Sequence, residues 1–329
     1  MASAQRFARL ATERPNPASL DLDRLSARQI ARLMNREDAR AVRAVGRVAD
    51  QIALGVELIV ASLSRGGRLF FVGAGTSGRL GVLEAAECPP TFGTPPRMIQ
   101  AIMAGGRASV FRSREGAEDD ESAAAREIRR RVRPGDVVIG VSASGITPFV
   151  RSALRAARRL HAATALVACN PTRVSAAEVA LVIDPRPGPE VLAGSTRLKA
   201  GTATKLVLNT LTTASMTRLG RVFGNRMVDL QPRSRKLNAR ARRLVEELGG
   251  VSRRRAARVL AAAGGRVRLA IVIARTGLSA RAAARALRAS GGSLRVALEP
   301  ARSHHRSPAP RRRSSDLAHR GRGKTSRPR

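Results

Sequence analysis

The sequence predicts an α/β protein: a mostly parallel sheet flanked by helices, with a small C-terminal helical cap. Five short apolar, β-branched-rich runs alternate with helical or turn segments, two of those runs pass straight into glycine- and hydroxyl-rich turns, and the chain beyond about residue 234 reads as helical. With 329 residues and 43% apolar content, the chain is long enough to bury one large core and a smaller second one.

The elements follow in order. Ser26 is placed to cap a short helix over Ala27–Met34, and an amphipathic run over Val42, Val45, Val48, Ile52, Val56, Ile59 and Leu63 recurs at helical spacing until Gly66-Gly67. The strands are expected at Arg68–Val72, Met98–Met103, Asp136–Val141, Ala165–Cys169 and Val179–Ile183. After the Pro/Gly-rich segment 184–189, a long helix is expected over Ser195–Leu219, with small residues early in it. Short helices follow at Leu244–Leu248, Arg253–Ala263, Ala270–Arg275 and Ala280–Leu287, separated by glycine pairs. These shifts divide the chain into N-terminal helices (1–66), an α/β domain (67–232), a small helical domain (233–298) and a tail (299–329). The stretch from 301 on holds ten basic residues against one acidic and is expected to be disordered; no function is assigned to it.

A net charge of +37 would ordinarily point to nucleic acid. Here the cations are almost all arginine and evenly spread, with no Trp or Tyr for stacking, so no nucleic-acid partner is assigned. No apolar run approaches the roughly 20 residues that span a bilayer, and no secretory leader is recognised, so the expectation is a cytoplasmic protein with no membrane partner. Cys88 and Cys169 lie far apart in apolar surroundings and read as reduced, buried thiols.

The two turns carry the functional reading. Gly73-Ala74-Gly75-Thr76-Ser77-Gly78 joins a strand to a helix start, where free amides and the Thr76 and Ser77 hydroxyls present donors to an anion; Gly75 lets the backbone approach it. Ser142-Ala143-Ser144-Gly145-Ile146-Thr147-Pro148 repeats the arrangement after another strand. Both fall where open α/β sheets bind ligands, and together they suggest a sugar phosphate. The glycine spacing also satisfies a dinucleotide fingerprint, but no acidic residue ends the second strand, so no nucleotide cofactor is expected. His161 is the only histidine before the tail and no Cys-x-x-Cys occurs, so no zinc site is expected.

Further blocks complete a pattern: Thr12-Glu13, Glu87-Cys88-Pro89-Pro90, Glu115-Gly116-Ala117-Glu118-Asp119, Cys169-Asn170-Pro171, the run from Gly194 to Ala203, and Gly224-Asn225-Arg226-Met227-Val228-Asp229. With the two turns, these blocks resemble the N-acetylmuramic acid 6-phosphate etherase family, which has the sugar-isomerase (SIS) fold. The resemblance implies a lyase of cell-wall recycling. It would cleave the D-lactyl ether of N-acetylmuramate 6-phosphate to N-acetylglucosamine 6-phosphate and D-lactate, without metal or other cofactor, in a homodimer whose sites use both subunits. It also implies that Glu87 is the proton donor, that Glu118 is the second catalytic carboxylate, and that Ser77, Ser142, Ser144 and Thr147 hold phosphate. Ile146 stands where the family usually has arginine.

The chemistry needs two carboxyl groups in opposite protonation states: a base for the C2 proton of the open-chain aldehyde and an acid for the departing lactate oxygen. Glu87 is expected at the C-terminal end of one helix and Glu118 in the first turn of another, where the helix dipoles would favour acid and base respectively. Lys199 is a candidate for neutralising phosphate or polarising the aldehyde, and Glu190 for binding sugar hydroxyls; the alternative for both is pairing at a helix start. A non-catalytic phosphosugar sensor or a phosphosugar isomerase is the competing reading. Neither needs this glutamate pair.

Overall fold

The computed structural model describes residues 10–171, 174–175, 178–230 and 234–299; the basic tail lies outside them. Three short 3-10 turns, at Ala11–Glu13, Pro17–Ser19 and Leu22–Arg24, lead into α1 (Ala27–Gly46) and α2 (Ala49–Leu63). A capping box starts α1: the Ser26 hydroxyl accepts from the Gln29 amide and the Gln29 side chain accepts from the Ser26 amide. The expected short helix thus runs on to Gly46, and the amphipathic run is cut in two near Arg47-Val48. Val42, assigned to the apolar stripe, is 57% exposed, because Ala41 and Ala44 form the buried face of α1 instead.

The sheet has the order β2-β1-β3-β4-β5 and is parallel throughout: β1 (Leu69–Gly73), β2 (Ile99–Met103), β3 (Val137–Ser142), β4 (Ala163–Ala168) and β5 (Leu181–Ile183). Strands buried on both faces need apolar residues at successive positions, which explains why they read as continuous runs. Alternation still sorts them. Phe71, Ile139 and Val141 pack with Ile59, Val207 and Leu211 on one face, while Phe70, Val72 and Val138 pack with Ile128, Val150 and Leu154 on the other.

The helices between strands are α3 (Gly75–Phe92), α4 (Glu121–Arg131) and α5 (Pro148–Arg159); α6 (Lys199–Arg218) follows β5. Leu198 is the N-cap of α6, so the segment from Ser195 to Leu198 is not helical as expected. The helix α3 also differs from expectation, starting at Gly75 and running through Pro89 and Pro90 to a left-handed Gly93 cap. The prolines lack amides, so they withdraw two donors from the last turns, yet the Gly93 amide still closes onto the Pro89 carbonyl at 3.0 Å.

A hairpin of β6 (Val222–Phe223) and β7 (Arg226–Met227) leads to the helices α7 (Arg235–Gly249), α8 (Arg253–Ala262), α9 (Val267–Thr276), α10 (Ala280–Ala289) and α11 (Leu294–Leu298). These share their own core, including Val228, Leu230, Val245, Ile271 and Val272. Asp229 pins the cap, taking Arg221 Nη1 on Oδ2 and Arg268 Nε on Oδ1, each at 2.8 Å. Among the described residues no helix is long and apolar enough to cross a membrane. Cys88 and Cys169 are free and buried, and burial pushes each thiol up to about 12, which leaves both protonated and unsuited to nucleophilic work.

Candidate functional site

The two hydroxyl turns leave adjacent strands in register, since Gly73 at the end of β1 pairs with Val141 near the end of β3. They therefore open side by side at the carboxyl edge of the sheet, the usual ligand position in this architecture. Neither α3 nor α5 has a side-chain cap at its start; α3 therefore leaves its first amides available to an anion, and α5, whose first residue Pro148 has none, leaves those that follow it.

Close packing shapes the first turn. A Cβ on Gly73 would lie 2.6 Å from the Gly78 nitrogen, and one on Gly78 would lie 2.6 Å from the Gly73 carbonyl oxygen and 2.3 Å from Met103 Sδ. Gly75 adopts a φ of 53°, the left-handed region that favours glycine. Gly73→Ala is accordingly expected to push the start of α3 away from β1. Overpacking of this kind costs about 1–3 kcal/mol, read as a lower thermal midpoint together with weaker inorganic phosphate binding by calorimetry.

In the second turn the structure brings Ser142, Ser144 and Thr147 together. Ser142 Oγ lies 2.7 Å from Thr147 Oγ1 and 3.2 Å from Ser144 Oγ, and the last two are 3.5 Å apart. The Gly145 amide donates to Ser142 Oγ at 3.0 Å and the Ile146 amide to Ser144 Oγ at 3.3 Å, which fixes the serines' orientation. Ile146 contributes backbone here.

Residues of three further motif blocks, Thr12, Asn170 and Gly194, buttress this turn. Asn170 Nδ2 donates to the Ala143 carbonyl at 2.8 Å and to Thr12 Oγ1 at 3.1 Å, and the Thr12 amide donates back to Asn170 Oδ1 at 3.3 Å. The Thr12 carbonyl accepts from the Gly194 amide at 2.9 Å. Beyond Gly194, α6 begins beside the first turn: a Cβ on Gly201 would lie 3.8 Å from Thr76 Cγ2.

Lys199 and Glu190 are committed inside the protein. Lys199 is 1% exposed, and its Nζ pairs with Glu37 Oε2 at 2.5 Å. Glu190 is fully buried, and its two oxygens accept from the Lys199 and Ala200 amides at 2.8 and 2.9 Å, capping α6 from upstream. This geometry is pairing at a helix start, and it leaves neither group turned out toward a ligand. Burial pushes the Glu190 carboxyl above its ordinary value despite those amides. Burial also works against ionised Glu37, but hydrogen bonds from Lys199 and Asn16, with the charges of Lys199 and Arg40, outweigh it and hold that carboxyl below its ordinary value. Sequence reasoning missed Glu37, since Arg36-Glu37-Asp38 reads as a solvated face.

Glu87 and Glu118 are both exposed. Glu87 lies five residues before the end of α3, and Glu118 sits in the 3-10 turn Ala117–Asp119, ahead of Asp120, the N-cap of α4. Dipole effects fade within one turn, so the expected split of roles by helix ends does not carry over to the observed positions. A cavity of about 980 Å³ runs past Met103, Arg114, Gly116, Ala117 and Asp120 but is lined by neither glutamate. The single chain does not join the two carboxylates in any described contact. Among the described residues no group of His, Cys, Asp or Glu is arranged to hold a metal ion.

Comparison with known proteins matches residues 51–158 to the model described as the glucokinase regulatory protein N-terminal SIS domain. The N-acetylmuramic acid 6-phosphate etherase of Geobacillus thermodenitrificans is 52% identical over 265 residues, covering 80% of this chain and 90% of that one. Its counterpart in Symbiobacterium thermophilum is 50% identical over 269 residues, covering 82% and 90%. Among solved structures, a phosphoheptose isomerase from Francisella tularensis aligns with a TM-score of 0.44 at 15% identity, covering 59% of this chain and 99% of that one. At about half of all positions over nearly the whole length of such relatives, the chain belongs to the N-acetylmuramic acid 6-phosphate etherase family.

Proposed function

We propose that this protein is a carbon–oxygen lyase that cleaves the D-lactyl ether of N-acetylmuramate 6-phosphate, yielding N-acetylglucosamine 6-phosphate and D-lactate in cell-wall recycling. The observation that carries the reading is the Ser142–Ser144–Thr147 hydroxyl cluster at the uncapped start of α5, beside the equally uncapped start of α3, in a chain about half identical to named etherases. The 6-phosphate accepts hydrogen bonds from these hydroxyls and from the first amides of α3, and the dipoles of both helices favour its charge.

An ether oxygen at C3 is a poor leaving group, so elimination through the aldehyde is the lower route. The base removes the C2 proton, the electron pair forms the C2–C3 double bond, and the C3–O bond breaks as an acid protonates the lactate oxygen. Water then adds at C3 and a proton returns to C2. Glu118 is assigned as the base and Glu87 as the acid, by their places in the motif blocks. Both side chains are exposed on the single chain, which accords with a homodimeric site that the partner subunit closes over them. No metal or nucleotide enters this scheme.

The test is incubation of the purified protein with N-acetylmuramate 6-phosphate and an enzymatic assay for D-lactate. Tight binding without lactate would instead make the protein a sensor. Ser142→Ala removes the hydroxyl that links the cluster. A lost hydrogen bond to a charged group is worth about 1.5–3 kcal/mol, so KM should rise roughly 10- to 100-fold with a smaller change in kcat.

A further inference from the structure

Arg79 stands in the second turn of α3, beside the first hydroxyl turn, where an arginine would ordinarily be assigned to phosphate. Its donors point elsewhere. Nε donates to the Val110 carbonyl at 2.8 Å, and Nη2 donates to the Ser109 carbonyl at 3.0 Å and to Ser113 Oγ at 3.3 Å. The guanidinium therefore grips the segment after β2, which turns through Arg107–Val110 and continues to the 3-10 turn that holds Glu118. The segment is anchored at buried Ser109 and at Ala117, partly buried against the core that holds Phe70 and Val72, and elsewhere it turns side chains to solvent: Arg107, Phe111, Arg112 and Arg114 are exposed, and Phe111 is 85% so. Arg79 and Glu87 ride on the same helix, so the clamp ties the element carrying one glutamate to the segment carrying the other.

We infer that Arg79 is a positioning residue for the lyase reaction: its bonds to Ser109, Val110 and Ser113 hold the Glu118 segment at a set distance from α3, so that base and acid address the same sugar. The inference rests on the roles proposed above for Glu87 and Glu118. A planar fork that meets two successive carbonyls and a hydroxyl is a task for arginine, and the single ammonium point of lysine does not reproduce it.

The experiment compares wild type, Arg79→Met, Arg79→Lys and Glu118→Gln with N-acetylmuramate 6-phosphate carrying hydrogen or deuterium at C2. Wild type releasing no lactate would overturn the functional reading itself, whatever Arg79 does. With wild type active and Glu118→Gln inactive, Arg79→Met is expected to lower kcat about 100-fold, the scale of an ångström's misplacement. Its KM should stay within about twofold and its C2 isotope effect on kcat should rise, with Arg79→Lys recovering only part of the rate. Amide exchange over residues 105–119 should quicken while the thermal midpoint holds. A rise in KM with kcat retained would assign Arg79 to phosphate and overturn the inference. So would an unchanged isotope effect, or a loss of rate explained by a lowered midpoint.

Discussion

Glu87→Gln is expected to abolish D-lactate release while leaving the protein folded. An amide cannot protonate the leaving oxygen, and loss of general acid catalysis costs on the order of 10²–10⁴-fold. The side chain is exposed on α3, so stability should change by less than about 0.5 kcal/mol. The informative readout is the C2 proton. In deuterated water Glu87→Gln should still exchange it, because the base step precedes departure of lactate, whereas Glu118→Gln should lose exchange and lactate together. Loss of exchange in Glu87→Gln would undo the division of roles.

Lys199→Met carries the largest expected effect on stability. Lys199 and Glu37 are 1% and 2% exposed, and removing one partner of such a pair strands a charge in the interior at about 3–5 kcal/mol. The thermal midpoint should fall by roughly 10 °C. Glu37→Gln combined with Lys199→Met should recover a large share, since the stranded charge is then gone, and a double-mutant cycle measures the coupling. The pH dependence follows from Glu37, whose carboxyl lies below its ordinary value in the fold. Its stabilisation is present above the ordinary carboxylate range and is lost as pH falls through the lowered value. Glu190, pushed upward by burial, acts in the opposite sense: it costs stability while ionised, and that cost disappears as pH falls. Acid unfolding of Glu37→Gln should therefore be shallower than that of wild type.

Much of the fold is legible in the sequence itself. Phe70-Phe71-Val72 and Val137–Val141 announce buried parallel strands because both faces demand apolar side chains, and the two hydroxyl turns mark strand ends because glycine and hydroxyl residues cluster there. The first helix runs past the expected end at Met34 because the buried stripe that continues it is Glu37, Ala41 and Ala44, which carries little apolar signal. Proline reads as a stop, yet α3 runs through Pro89-Pro90: the carbonyls four residues before each proline go without a helical donor, and the Gly93 amide closes the end onto the Pro89 carbonyl. Glu37 and Glu190 have the partners least legible from sequence. Each answers a partner that local spacing does not reveal: Lys199 lies 162 positions from Glu37, and Glu190 meets amides nine and ten residues on.

The stitch from Thr12 through Asn170 to Ala143 joins residues 158 apart in the chain. Closing so long a loop has an entropic cost that contacts formed in between reduce, so this stitch is expected to form after the strands it spans have paired. On the ribosome the amino end emerges first but must wait for four strands before it finds its seat. The Asn170 side-chain amide that braces the Ala143 carbonyl of the serine turn is thus tied down from both sides only when the segment around Thr12 has returned to it.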